Sequence, residues 1–269
     1  MASGRAATED PERPRAGPRA IGVTPGPEIV QLRGLRGARE ASGLTVLIDV
    51  LRAFTTAAYA FAGGAGDIVL VATVEEAVAM RRLLPDALLI GEVDGRRIAG
   101  FDLNNSPTMM AEADVAGRRL IQRTGAGTRA VVAAAGADER VLGSLVVAGA
   151  TARYLQSRRA SRICLVSTNA DEGPPNEDDA CARYLAALLG GRAENVEGVV
   201  ADVRSAARDR LLTERLGADF PATDIDLAVA VDRFGFAMAV LPAAVMPGGP
   251  VGLVARRVEV PKVGQADAS

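Results

Sequence analysis

From Glu28 onward the chain alternates short apolar runs with amphipathic stretches, a rhythm that constrains the fold more than any other feature of the sequence. The apolar runs at Ile29 to Leu32, Leu44 to Ile48, Ile68 to Val71, Ala87 to Ile90, Arg119 to Gln122, Arg162 to Val166, Ala237 to Leu241 and Val251 to Val260 read as strands. Helices are expected between them, over Thr55 to Ala62, Val74 to Leu84, Thr108 to Asp114, Thr128 to Ala135, Ser144 to Ser157, Asp178 to Leu189, Val203 to Leu216 and Ile225 to Arg233. Val74, Ala77, Val78, Met80 and Leu84 lie near the spacing of one apolar helical face, with Thr73 placed to cap it. The last run alternates apolar residues with Arg256, Arg257 and Glu259, as an edge or outer strand would. The sum is a layered α/β domain.

At 269 residues and 49% hydrophobic composition the chain can bury one substantial core, and a single domain is expected over residues 27–262. Residues 1–26 are rich in Pro, Gly, Arg and Ala without apolar periodicity and read as a disordered tail, with a short second tail at 263–269. A formal net charge of -2 supplies no global field toward nucleic acid or an anionic membrane, so any anion site must be local. Cys164 and Cys181 are too few for a disulfide framework, and no stretch of about 20 apolar residues suggests a membrane span or export signal. A soluble cytoplasmic protein is expected, and a homo-oligomer is compatible with all of this.

The chain contains no histidine, which removes the commonest general base and metal ligand together. Chemistry must come from carboxylates, hydroxyls, thiols, arginine or a metal. Asp49 and Arg52 follow the strand Leu44 to Ile48, at the sheet edge where ligands bind in open α/β folds. A carboxylate there can hold a metal and an arginine can fork onto phosphate oxygens; equally, the two can form an ion pair that caps the next helix. Glu92, Asp94 and Asp102 gather around another connection, which ends in Asn105, Ser106 as a natural N-cap, and Pro107. Arg123-Thr124-Gly125-Ala126-Gly127-Thr128-Arg129 is a strand-to-helix turn able to cradle an anion on backbone N–H groups, but it lacks the lysine and spacing of a P-loop. Glu177 and Asp178 open another helix, either as dipole complements or as ligands for a hard cation. Neither cysteine is followed by the arginine of a cysteine-phosphatase loop, so Cys181 reads as packing. Asp224-Ile225-Asp226 has no hydrophobic strand before it and does not qualify as an aspartyl-phosphate motif.

Taken in order, Asp49-Val50-Leu51-Arg52-Ala53, Gly100-Phe101-Asp102-Leu103 with Asn105-Ser106-Pro107, Gly127-Thr128-Arg129-Ala130, Gly143-Ser144-Leu145 and Glu177-Asp178 with Cys181-Ala182 resemble the 2-phosphosulfolactate phosphatase (ComB) family over roughly Glu28 to Leu241. The resemblance implies a three-layer α/β/α fold with a mixed central sheet and Mg²⁺-dependent hydrolysis of a small anionic phosphorylated hydroxy acid, 2-phosphosulfolactate, to sulfolactate and phosphate. On this reading some of Asp49, Glu92, Asp102, Glu177 and Asp178 hold Mg²⁺. Arg52, Ser106 and the Gly127 and Thr128 amides stabilise phosphoryl oxygens, with Asn105 and Arg123 also on the substrate. Two loops depart from the family pattern: Gly91-Glu92-Val93-Asp94-Gly95 lacks an arginine, and Ala126 stands where an asparagine is usual. Arg123 is placed to replace the lost arginine. Two alternatives remain: a weakened member that binds an anionic metabolite as a regulator, and a phosphatase for an unsulfonated phospho-hydroxy acid.

Overall fold

The computed structural model describes residues 26–169, 171–209 and 212–260. Both expected tails lie outside them, apart from Gly26. In chain order the elements begin with β1 (Glu28–Arg33), α1 (Gly34–Glu40), β2 (Gly43–Ile48), α2 (Ala53–Ala62), β3 (Ile68–Val71), α3 (Val74–Leu83), β4 (Leu88–Val93) and the two-residue β5 (Arg96–Arg97). Then come α4 (Pro107–Glu112), β6 (Leu120–Arg123), α5 (Gly127–Ala133), β7 (Ala137–Gly143), α6 (Ala148–Ser157) and β8 (Arg162–Ser167). The chain closes with α7 (Glu177–Leu189), α8 (Val196–Asp209), α9 (Leu212–Leu216), α10 (Thr223–Ala228), β9 (Phe236–Ala244) and β10 (Val251–Glu259).

The strands form one mixed ten-stranded sheet in the order β1-β8-β2-β7-β9-β10-β3-β6-β4-β5, with helices on both faces. This is the expected three-layer α/β/α fold. Alternation along β2 shows how the layers arise: Leu47 points into a core shared with α1, α2, α4 and α5, while Leu44, Val46 and Ile48 point into a core shared with α6, α7 and α8. A smaller cluster around Val69, Leu89, Ile121 and Ala77 packs α3. α2 is buried from Ala53 to Phe61, as its mostly apolar sequence requires, with the Thr55 hydroxyl satisfied by the Val50 carbonyl. No described helix is long and apolar enough to cross a membrane.

β1, β8, β2 and β7 run parallel, and so do β3, β6 and β4, but the antiparallel β9 and β10 between the groups reverse their relative direction. In a flat sheet the carboxyl ends of the two groups would lie on opposite edges. Five interstrand steps separate β2 from β6, and at roughly 20–25° each the accumulated twist exceeds a right angle. The coiled sheet thus brings the segments after β2, β8, β4 and β6 to one place.

Some expectations change. β10 is an interior strand between β9 and β3; it looked like an edge because β3 pairs only with Leu253, Val254 and Ala255, leaving Arg256 to Glu259 paired on one side. β7 was missed because its first half, Asp138-Glu139-Arg140, is charged and partly exposed, and only Val141 to Gly143 is buried. The helix expected over Val203 to Leu216 begins earlier, at Val196 in α8, and α9 covers its last residues. On α3 the Thr73 and Glu76 capping box is present, but Val78 is 39% exposed and lies off the apolar face.

Candidate active site

A cavity of about 370 Å³ opens where the strand ends converge, lined by Asp49, Leu51, Arg52, Glu92 to Gly95, Asn105, Arg123, Gly125, Ala126, Arg129 and Asn169, together with Leu212, Arg215, Leu216 and Phe220 from the segment after α8. A smaller adjoining space shares Gly125, Ala126, Arg129 and Asn169.

Asp49 follows β2 directly and is 4% exposed. Its Oδ1 accepts from the Ala53 N–H at 2.9 Å, which caps the start of α2. Its Oδ2 lies against the start of α5, where a Cβ on Gly127 would stand 2.7 Å from that oxygen and 2.8 Å from the Ala53 Cβ. Glycine at position 127 is therefore what lets α5 approach the carboxylate. Gly91 serves a similar purpose between β4 and β6, because a Cβ there would meet the Arg123 carbonyl oxygen at 2.0 Å.

Arg52 departs from the expected phosphate contact. Its Nη1 donates to Asp224 Oδ2 at 2.7 Å and to the Asp219 carbonyl at 2.6 Å, and its Nη2 donates to the Gly95 carbonyl at 2.9 Å. The guanidinium also lies 4.2 Å from the Phe220 ring centroid. Both members of the ion pair are buried, at 2% and 0% side-chain exposure. The capping-pair reading had the right kind of role but the wrong partner: Arg52 pairs with Asp224, 172 positions along the chain, while Asp49 does the capping. Ser106 belongs to the same network, donating from Oγ to Asp224 Oδ1 at 2.6 Å while its own oxygen caps α4. It is fully buried and serves the scaffold.

Glu92 ties two loops together. Its Oε2 accepts from the Gly95 N–H at 2.8 Å and its Oε1 from the Gly125 N–H. One amide of the expected anion cradle is thus filled by a protein carboxylate. The Thr128 N–H donates to Thr124 Oγ1 at 3.0 Å, and Thr128 Oγ1 accepts from the Thr124 N–H at 2.8 Å. Thr128 is buried and holds the turn closed, leaving Ala126 and Gly127 as the cradle's remaining amides. Arg123 lines the cavity, with Nη1 donating to the Glu92 carbonyl at 2.6 Å. Asn105 also lines it.

Glu177 and Asp178 are fully buried in the first turn of α7, behind an Asn176 capping box. Asp178 Oδ1 accepts from the Val50 N–H at 2.8 Å, and Glu177 Oε1 accepts from Asn169 Nδ2 at 2.7 Å. They brace the Asp49 loop and Asn169 from behind the cavity wall. Asp102 is elsewhere: Arg81 and the Leu89 N–H both donate to its Oδ2, and its side chain is 36% exposed. Its acidity serves an ion pair at the surface and the start of β4. Among the described residues no three of His, Cys, Asp and Glu group in a way that could hold a metal ion. Of the five carboxylates from which metal ligands were expected, Asp49 and Glu92 line the cavity.

The Cys181 thiol is buried and pushed well above its usual range by that burial, then by Asp178 and Asp232. It has no access to the cavity and no means of ionising near neutrality. Sequence reasoning missed Arg129, Arg215, Phe220 and Asp224 as parts of the site. Arg129 had a signal, two positions after Gly127 in a glycine turn. Nothing local marks Arg215 or Phe220, which arrive from a distant segment, and Asp224 was seen only as a failed nucleophile motif.

A polar pocket at the converging strand ends of a mixed α/β sheet, walled by arginines and carboxylates, is the kind of place where such folds bind small ligands. The comparison with known families narrows this: residues 32–216 match the model for 2-phosphosulpholactate phosphatase, and the chain belongs to that family. Among similar proteins, the probable 2-phosphosulfolactate phosphatase of Deinococcus radiodurans is 33% identical over 225 residues, covering 79% of this chain and 93% of the relative. Its counterpart in Bacillus subtilis is 38% identical over 148 residues, covering 55% of this chain and 64% of the relative. That of Symbiobacterium thermophilum is 39% identical over 164 residues, covering 60% and 70%. The match thus spans a little under two thirds of the Bacillus relative's length and nearly all of the Deinococcus one.

Proposed function

We propose that this chain is a phosphoric monoester hydrolase that removes phosphate from a small phosphorylated hydroxy acid, with 2-phosphosulfolactate as the first candidate and sulfolactate as its product. The observation that carries this reading is the cavity itself. It holds Asp49, which lies against Gly127 at the start of α5, together with Gly125 and Ala126 of the same turn and with Arg52, Arg123, Arg129 and Arg215. Its volume suits a metabolite, and its arginines suit a substrate with several negative charges. The names of the relatives supply the sulfonated substrate.

Mg²⁺ is part of the proposal. Such an ion usually keeps several waters and takes only one or two carboxylates together with substrate phosphate, so Asp49 and Glu92 in the cavity wall fit it better than a closed cage would. When bound there it would neutralise phosphoryl charge and make a water molecule more acidic. The protein's own residues do the rest. Arg123 and Arg129 neutralise charge on the bound phosphate, Asn105 and the cradle amides orient it, and Arg52 with Asp224 fixes the floor on which Asp49 stands.

A phosphate-release screen of 2-phosphosulfolactate and unsulfonated phospho-hydroxy acids, with Mg²⁺ and with excess EDTA after dialysis, tests the proposal. Release from the sulfonated ester that disappears in EDTA is the expected result. Tight calorimetric binding of the esters without turnover would instead assign a regulator.

A further inference from the structure

The cavity is roofed by a segment that no sequence motif announced. Leu212, Arg215, Leu216 and Phe220 all line it. Leu216 packs directly on Gly95, where an added Cβ would meet its Cδ1 at 2.5 Å. The Asp219 carbonyl accepts from Arg52 and from Asn104 Nδ2, and the Asp219 carboxylate accepts from the Arg97 N–H at 3.1 Å. Arg96 Nη2 donates to the Arg215 carbonyl at 3.0 Å. Phe220 and Asp224 close the attachment through Arg52. The backbone that carries Arg215 is therefore held to the β4-to-α4 loops and to the start of α2.

The side chain of Arg215 differs from its neighbours. Arg52, Arg123 and Arg129 each donate to a protein oxygen, whereas among the described residues the Arg215 guanidinium makes no hydrogen bond or salt bridge, and the residue is exposed at the cavity wall. Its backbone is fixed while its charge is uncommitted. A guanidinium in that condition, in the same cavity as Asp49, Arg123 and Arg129, fits a second anionic group on a substrate whose phosphate those residues hold.

We infer that Leu212–Ala228 is a cap, and that Arg215 on it is the residue that selects phosphate esters bearing a second acidic group, sulfonate or carboxylate, over esters that carry phosphate alone. This rests on the phosphatase reading above for its turnover arm but not for its binding arm. The test compares wild-type full-length protein with Arg215→Gln and Arg215→Lys on 2-phosphosulfolactate, 2-phosphoglycerate and glycerol 2-phosphate, the last having no second acid. The ratio of kcat/KM for the acidic esters to that for glycerol 2-phosphate should fall roughly ten- to a hundredfold in Arg215→Gln, as expected for loss of a charge-assisted contact. Arg215→Lys should recover part of it. An unchanged ratio overturns the inference. If the wild type releases phosphate from none of these esters, the phosphatase proposal fails, and calorimetry with sulfolactate decides the role of Arg215. Weaker binding to Arg215→Gln than to wild type supports it, and equal binding or none to either overturns it.

Discussion

Replacing Arg52 by Met separates a scaffold from a phosphate ligand. The substitution leaves Asp224 as a fully buried carboxylate supported only by Ser106 Oγ and the Thr108 N–H, both on Oδ1. Removing one member of a buried ion pair costs about 3–5 kcal/mol, because the remaining charge is uncompensated. The contact with Phe220 adds about 1 kcal/mol more, and the Asp219 and Gly95 carbonyls lose their donor as well. Those Ser106 and Thr108 donors soften the cost, so about 3–4 kcal/mol is expected. Against a total stability of about 5–15 kcal/mol, that is a large fraction.

Urea unfolding followed by far-UV circular dichroism reads this directly, which suits a chain without tryptophan. The double variant Arg52→Met with Asp224→Asn removes the stranded charge yet keeps an acceptor for Ser106 and Thr108. It should be more stable than Arg52→Met alone, with a coupling of about 1–3 kcal/mol. Arg52→Lys keeps the charge without the fork and should fall between wild type and Arg52→Met. The reasoning is refuted if Arg52→Met loses less than about 1 kcal/mol while catalytic efficiency of the folded protein collapses. That outcome would make Arg52 a phosphate ligand after all.

Gly127→Ala places a methyl group 2.7 Å from Asp49 Oδ2 and 2.8 Å from the Ala53 Cβ; a destabilisation of about 1–3 kcal/mol and at least a tenfold loss of turnover are expected, measured by urea unfolding and phosphate release. Cys181→Ser should lower the melting temperature, since it buries a hydroxyl in a thiol's place, yet leave turnover per folded molecule nearly unchanged; abolished turnover in a well-folded variant would require a thiol mechanism. The Tyr184 hydroxyl donates to Asp232 Oδ2, and its pKa is pushed up to about 12 by burial first and by Asp232 second. The native state holds that proton where the unfolded state has lost it, so this stabilisation is complete below about pH 10 and disappears as pH rises toward 12. Denaturation midpoints across that window should decline less steeply in Tyr184→Phe than in wild type.

The parts of the fold that were legible in the sequence rest on short-range regularities. Most of the long strands and the α3 capping box follow from spacings of two to four residues, and the structure reproduces them to within a residue or two. Asp49, Arg52, Glu92, Asn105 and Arg123 were legible as residues at loop ends near the sheet's edge, and all five line the cavity. Their assigned tasks were less legible. Ser106, Thr128, Glu92 and Arg52 all prove to be spent largely on holding loops, and a polar residue at a strand end looks the same from its neighbours whether it serves a ligand or a turn.

By itself the sequence determined the α/β class, the exclusion of histidine chemistry, and the placing of acids, arginines and glycine turns at strand ends. Only the tertiary structure decided which of these meet. The reversal introduced by β9 and β10, with the twist accumulated across the sheet, carries β4 and β6 to the carboxyl ends of β2 and β8. It excludes Asp102, buries Glu177 and Asp178 behind the wall, and brings Asp224 to Arg52 and Arg215 to the cavity from far along the chain. Local propensity acts over a few residues and a buried ion pair or a shared cavity acts over a few ångströms. The two coincide only for neighbours in sequence, so partners more than a hundred positions apart are chosen by the coiling of the sheet.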